Sequence, residues 1–116
     1  MAAEGTLGLI DTIPAGLTPG SDVANLAVMG YDPAVFHSGR GPLEAASMGI
    51  NLAPDDVAFR CNLVTLGSAG ETVMEDFTSG HISSEETRRI VEDLDAKLGS
   101  ARIKFYPGVG YRHLMI

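Results

Sequence analysis

Several things are scarce in this sequence, and each scarcity narrows the possibilities. There is one cysteine, Cys61, and no tryptophan. A lone cysteine cannot close an internal disulfide, so the expected compartment is the reducing cytoplasm. Positive charge is also scarce: 8 Lys+Arg stand against 15 Asp+Glu, a net charge of −7. Nucleic acid is bound by clustered cations, so this balance argues against a nucleic-acid partner. No apolar run approaches the ~20 residues needed to cross a bilayer, and no charged-then-apolar leader opens the chain. Neither a membrane protein nor a secreted one is expected. Of the three histidines, His37, His81 and His113, no two stand at a metal-binding spacing, so spacing alone assembles no metal site.

What is present suits one small domain. The chain has 116 residues, 45% of them hydrophobic. A chain of this size buries roughly 65% of its unfolded surface, enough for a modest core. Charge is unevenly spread: residues 1–54 carry five acids and one base, Arg40, and the other ten acids and seven bases follow. Eight of the 14 glycines also fall in the first 54 residues. Glycine permits positive φ and close backbone approach, so a shaped loop region is expected ahead of a more regular fold.

In the first region, Leu7 to Ile13 reads as a short strand followed by a Pro/Gly loop through Gly20. Ser21 and Asp22 start a helix that Gly30 stops, and Pro42 suits the first turn of another, ending at Gly49. Between them, Tyr31 to Gly41 reads as a turn-rich connection. In the second region, Val57 to Leu66 reads as a strand, residues 67–70 as a turn, and Thr72–Phe77 as a second strand. Ser83 and Glu86 form a capping box, and Ile90, Val91, Leu94 and Leu98 make an apolar stripe that Gly99 closes. Strands over Ala101–Tyr106 and Tyr111–Ile116 follow, joined by residues 107–110. The expected class is α/β to α+β, the later part β-β-α-β-β with one helix covering an antiparallel sheet.

Ser21 is the first residue that could carry chemistry. It follows a Pro-Gly turn at a helix start, where backbone N–H groups and partial positive charge favour a phosphate or a developing oxyanion. Spacing alone leaves two roles open, a helix cap or a nucleophile activated by a metal or base. Arg40 stands between Gly39 and Gly41, where a ligand could reach the backbone while the guanidinium grips a phosphate or carboxylate. Arg60 and Asn62 alternate onto one strand face, with Phe59, Cys61 and Leu63 on the other. Arg112 and His113 interrupt a second strand. His81 precedes the capping box. A solvated sheet face or a local ion pair remains the alternative for each, and Arg88 and Arg89 read simply as helix surface. Cys61 reads as a small buried hydrophobe.

Several segments together resemble one family. They are Thr12-Ile13-Pro14, Pro19 to Leu26, Met29 to Pro33, Gly39 to Ala46, Asp55 to Leu63, Gly80 to Ser83 and Phe105 to Leu114. They resemble the archaeal-type cofactor-independent phosphoglycerate mutases of the alkaline phosphatase superfamily, from end to end of the chain. The resemblance implies interconversion of 3-phosphoglycerate and 2-phosphoglycerate through a phosphoserine, with two divalent metal ions, manganese or magnesium. It implies that Ser21 is the phosphorylated residue and a metal ligand. Arg40, Arg60, Asn62, His81, Arg112 and His113 would hold phosphate and carboxylate.

Such enzymes are several times longer and take further metal ligands from an Asp-rich strand near their start and Asp/His motifs far downstream, both missing here. The chain is therefore expected to be an internal fragment. Residues 1–54 would be a piece of the phosphatase-like core with its serine loop, and 55–116 the first half of an inserted transferase-type domain. Alone it is expected to be inactive, to bind no metal, and to self-associate through exposed strand edges. Two competing functions remain: a metal-dependent phosphatase or phosphonate-processing relative, and a non-catalytic anion-binding α+β module.

Overall fold

The clearest local signal in the sequence becomes the longest helix. In the computed structural model, which describes residues 3–67 and 72–116, helix α4 spans Ser84–Leu98 with Ser83 as its N-cap. The backbone N–H of Glu86 donates to Ser83 Oγ at 3.3 Å, and Ser83 donates to Glu86 Oε2 in return. This reciprocal box satisfies donors that the first turn would otherwise leave unpaired. In chain order the other elements are α1 (Ser21–Val28), α2 (Pro33–Phe36), α3 (Arg40–Ser47), β1 (Phe59–Asn62), β2 (Thr65–Gly67), β3 (Val73–Asp76), β4 (Phe105–Val109) and β5 (Arg112–Met115). The chain divides into two units, Met1–Ser38 and Gly39–Ile116.

The first unit is a short helical hairpin preceded by irregular chain. Gly30, at φ 86°, turns the backbone after α1, and Tyr31 N–H closes the turn on the Leu26 carbonyl at 2.9 Å. Asp32 caps α2 by accepting from Ala34 N–H at 2.9 Å, and Tyr31 packs edge-to-face on Phe36. Val23 and Pro33 are buried. Helix α2 lies where sequence suggested only turns. The strand expected over Leu7–Ile13 is not formed: these residues hold no regular element, and Leu7, Leu9 and Ile10 are exposed. β-rich sequence becomes a strand only when a neighbour completes its hydrogen-bond ladder, and none of the described residues pairs with it.

The second unit holds two antiparallel sheets, one of order β1-β5-β4 and one of β2-β3, so it is mixed α/β with antiparallel pairing. The single strand expected over Val57–Leu66 is two strands, because the chain leaves β5 after Asn62 and takes β3 as its next partner. One sheet covered by one helix was expected; there are two sheets, and α3 packs on β1 and β5 while α4 packs on β4. Asp95 Oδ1 accepts from Phe105 N–H at 2.8 Å and Ser84 Oγ from Gly110 N–H at 2.9 Å, which ties both ends of α4 to the β4 hairpin. The β4 strand starts at Phe105 and continues through Pro107 and Gly108, residues expected to form a turn. A register shift between Tyr106 and Val109 absorbs them, and the turn comes at Gly110.

The core of this unit is Ala45, Val91 and Leu114, together with Thr87 and His113. The buried stripe of α4 thus runs Thr87–Val91, while Ile90 and Leu98 of the expected stripe are exposed. The part of the expected 67–70 turn from residue 68 onward lies outside the described residues.

Candidate functional site

Ser21 is exposed and is the first residue of α1; Gly20 is the N-cap, and no side chain caps the helix. The cap reading of Ser21 is therefore replaced: its hydroxyl is not spent on the helix end and faces outward. The adjacent Asp22 is engaged instead. Its Oδ2 lies 2.7 Å from His37 Nε2, with the two side chains only 13% and 23% exposed. This hydrogen bond holds the Asp22 carboxyl below the ordinary range, helped by the backbone N–H groups of Asp22 and Val23 and opposed by burial.

The second unit carries the candidate cations, and its sheet register decides which come together. Asn62 faces Arg112 across the β1–β5 pair, and Arg60 faces Leu114. Directly opposed residues share a sheet face, so Arg60, Asn62 and Arg112 lie on one face, as alternation in β1 requires. Helix α3 contributes Glu44, whose Oε1 lies 3.9 Å from Arg60 Nε, an ion pair without a hydrogen bond. Glu44, Ser47 and Met48 of the α3 end, with Gly108, Val109, Arg112, His113 and Leu114 of the β4–β5 hairpin, line a cavity of about 160 Å³.

His113 is 3% exposed. Gly108 N–H donates to its Nδ1 at 3.0 Å, which makes Nδ1 the acceptor and leaves the ring proton of the neutral imidazole on Nε2. Burial pushes the His113 pKa down, keeping the ring neutral. Among the described residues, two buried side-chain nitrogens lack any hydrogen-bond partner: His113 Nε2 and Arg60 Nε. A buried donor left unpaired costs roughly 1–3 kcal/mol. The unit therefore holds two unpaired donors, one of them cationic, on opposite sheet faces: Arg60 pairs with Leu114, whereas the neighbour of Leu114, His113, pairs with Cys61.

Other candidates stand apart from this group. Arg40 is the exposed first residue of α3. The glycine after it serves packing rather than ligand approach: a Cβ on Gly41 would sit 2.0 Å from the Ala58 carbonyl oxygen. His81 is exposed at φ 56°, in a turn organised by Asp76. Asp76 accepts from Thr78 N–H at 2.7 Å, Thr78 Oγ1 at 2.7 Å and Gly80 N–H at 2.6 Å. Arg112, by contrast, belongs with the cavity residues; it is exposed, its guanidinium 5.8 Å from the Tyr111 ring. Cys61 is half-buried, and burial raises its thiol pKa. Glu44, Gly108 and His37 escaped sequence reasoning. The α3 spacing of Glu44 and Ser47, three residues apart, was a usable signal for one helix face; nothing local marked His37 as the partner of Asp22.

No group of three His, Cys, Asp or Glu side chains suited to a metal occurs among the described residues. Beside Ser21, the nearest carboxylate in sequence, Asp22, is already committed to His37, so these residues do not assemble a metal-binding set.

Relatives of this chain carry a consistent name. It is 60% identical over 116 residues to the 2,3-bisphosphoglycerate-independent phosphoglycerate mutase of Methanosarcina barkeri, covering all of this chain and 28% of that protein. A probable enzyme of the same name from Geobacter sulfurreducens is 55% identical, with 29% of its length covered. Mutase 1 of Methanocaldococcus jannaschii is 38% identical, with 28% covered. The chain thus spans little more than a quarter of these relatives, and no solved structure matches it. Residues 2–116 match the model of the 2,3-bisphosphoglycerate-independent phosphoglycerate mutases, and the chain belongs to that family.

Proposed function

We propose that this chain is part of a mutase that interconverts 3-phosphoglycerate and 2-phosphoglycerate. In this reading the Ser21 oxygen bonds to phosphorus as the bond to one glycerate oxygen breaks, that oxygen taking up a proton while the serine hydroxyl gives one up. The return step breaks the serine ester, transfers the phosphoryl group to the other glycerate hydroxyl and restores the serine proton. Arg40, Arg60, Asn62, His81, Arg112 and His113 are the substrate contacts. A substrate with an anion at each end needs fixed cationic and N–H donors to turn without escaping.

The observation that carries the reading is that two donors, Arg60 Nε and His113 Nε2, one on each sheet face, are buried without partners in a family whose substrate is an anion. The exposed Ser21 hydroxyl is compatible with phosphoryl transfer. The two divalent ions, manganese or magnesium, belong in this proposal to the whole enzyme, where they would lower the serine pKa; the 116 residues by themselves are inert. We assign residues 1–54 to an alkaline-phosphatase-like core and 55–116 to an inserted domain, in a cytoplasmic protein.

The test is a chimera in which these 116 residues replace the matching segment of the Methanosarcina barkeri relative. Phosphorus NMR should show isomerisation of phosphoglycerate, and Ser21→Ala should lower turnover on the order of a thousandfold or more. Arg60→Ala should raise KM. A folded chimera that releases only free phosphate, or one that keeps its turnover with Ala at position 21, overturns the proposal.

A further inference from the structure

The first turn of α1 has an unusual means of support. Eight residues are too few for a helix to persist on propensity alone. Its N-cap, Gly20, offers no side-chain acceptor. The first intrahelical bond, from Ala24 N–H to the Gly20 carbonyl at 3.0 Å, spans Ser21. Left to itself this turn frays, and the Ser21 hydroxyl sweeps a wide arc.

Two contacts oppose fraying. At the far end of the hairpin, Gly30 and the Tyr31–Leu26 bond close the connection between α1 and α2. At the open end the chain is closed by Asp22 and His37, fifteen residues apart, at 2.7 Å and largely shielded from water. His37 is itself fixed, because it is the C-cap of α2 and its N–H donates to the Pro33 carbonyl at 3.0 Å. Asp22 also leans back over the N-cap. A Cβ on Gly20 would crowd Asp22 Oδ1, and the carboxylate would have to shift to make room.

We infer that Asp22 and His37 are positioning residues for Ser21: their hydrogen bond clamps the open end of the α1–α2 hairpin and holds the serine in one presentation. This rests on the reading of Ser21 as the reacting hydroxyl, yet it makes its own structural demand. The pair acts through the backbone of the first turn and does not touch the transferred group.

Hydrogen exchange and NMR on the 116-residue chain test it. In His37→Ala, protection of the Ala24 amide should fall roughly tenfold, the size of a lost helix cap. The Ser21 Cβ shift should move toward its disordered value, while the Tyr31 amide keeps its protection. His37→Gln, whose amide can still donate to Asp22, should restore most of the effect. In Ser21→Ala the His37 ring signals should stay in place, because the clamp does not depend on the hydroxyl. An unchanged Ala24 amide in His37→Ala, an equal loss at Tyr31, or no rescue by glutamine would overturn the inference. An inactive chimera would overturn the mutase proposal and leave this result standing.

Discussion

The two units of this molecule spend their apolar residues differently. In Gly39–Ile116, sheet and helices shield Leu114, Val91 and Ala45 fully, although Phe59, Leu66, Met74 and Phe77 among others stay exposed. In Met1–Ser38, Leu7, Leu9, Ile10, Val28, Met29, Val35 and Phe36 are exposed, and among the described residues Val23 is the buried aliphatic one. Apolar composition alone therefore says little about stability, because only surface removed from water contributes. The second unit has non-local pairing that closes on itself. The first has a hairpin held by one turn and one polar clamp, and its apolar side chains are available to any surface that covers them.

If that contrast is right, the largest effect follows from Leu114, which is 0% exposed on β5, a strand that α3 packs on. Leu114→Ala should cost about 2–5 kcal/mol, the range for truncating a closely packed leucine. Chemical denaturation followed by amide signals from α4 and β5 measures it, and a cost below about 1 kcal/mol would mean that the second unit is packed no better than the first. Gly108→Ala comes next. A Cβ there would lie 2.2 Å from the Arg112 carbonyl oxygen, a backbone atom that cannot simply swing away. The bulge must open, at a cost of about 1–3 kcal/mol, and the hydrogen bond to His113 Nδ1 should lengthen. The ring's nitrogen shifts would then show a mixture of tautomers.

These residues also show how much could be read before the structure. The capping box at Ser83 and Glu86 was legible because its signal is local: two side chains and two N–H groups within four residues. The β1 strand was legible for the same reason, and its alternation placed Arg60 and Asn62 on one face. Leu7–Ile13 has the composition of a strand but no partner among the described residues, and composition cannot report a missing neighbour. Gly41 was read as a place for a ligand to approach, whereas it lets α3 approach Ala58. The same chemical freedom serves either purpose, and only the tertiary contact decides between them. The site divides likewise. The residue types of Arg60, Arg112 and His113 were visible, but the orphaned state of two nitrogens and the Asp22–His37 bond exist only once distant segments meet.

A smaller effect concerns pH. The His113 pKa is lowered by burial from the ordinary value of 6.5. Above that value the ring is neutral in folded and unfolded chains alike, and its contribution to stability is complete. As pH falls below it, the unfolded chain takes up the proton first, so stability declines until the folded ring also titrates. Denaturation midpoints followed downward from pH 7 should fall, and His113→Gln should remove that part of the slope. A midpoint that rises over this interval would contradict the burial of the ring.

The smallest effect on stability belongs to the first unit. Leu9 is fully exposed, so Leu9→Ser removes no buried area, and the change should stay within about 0.5 kcal/mol. The same substitution acts on association instead. Leu7, Leu9 and Ile10 present adjacent apolar groups on irregular backbone whose hydrogen-bonding groups pair with no strand among the described residues, a combination that favours pairing with another chain. Light scattering across a concentration series should show self-association for the original sequence and a marked reduction for Leu9→Ser, at unchanged denaturation midpoint. A large loss of stability would mean that Leu9 has cover within its own unit. Unaltered association would move the contact to the other exposed apolar groups of the hairpin, Val28, Met29, Val35 and Phe36, where Val35→Ser provides the matching measurement.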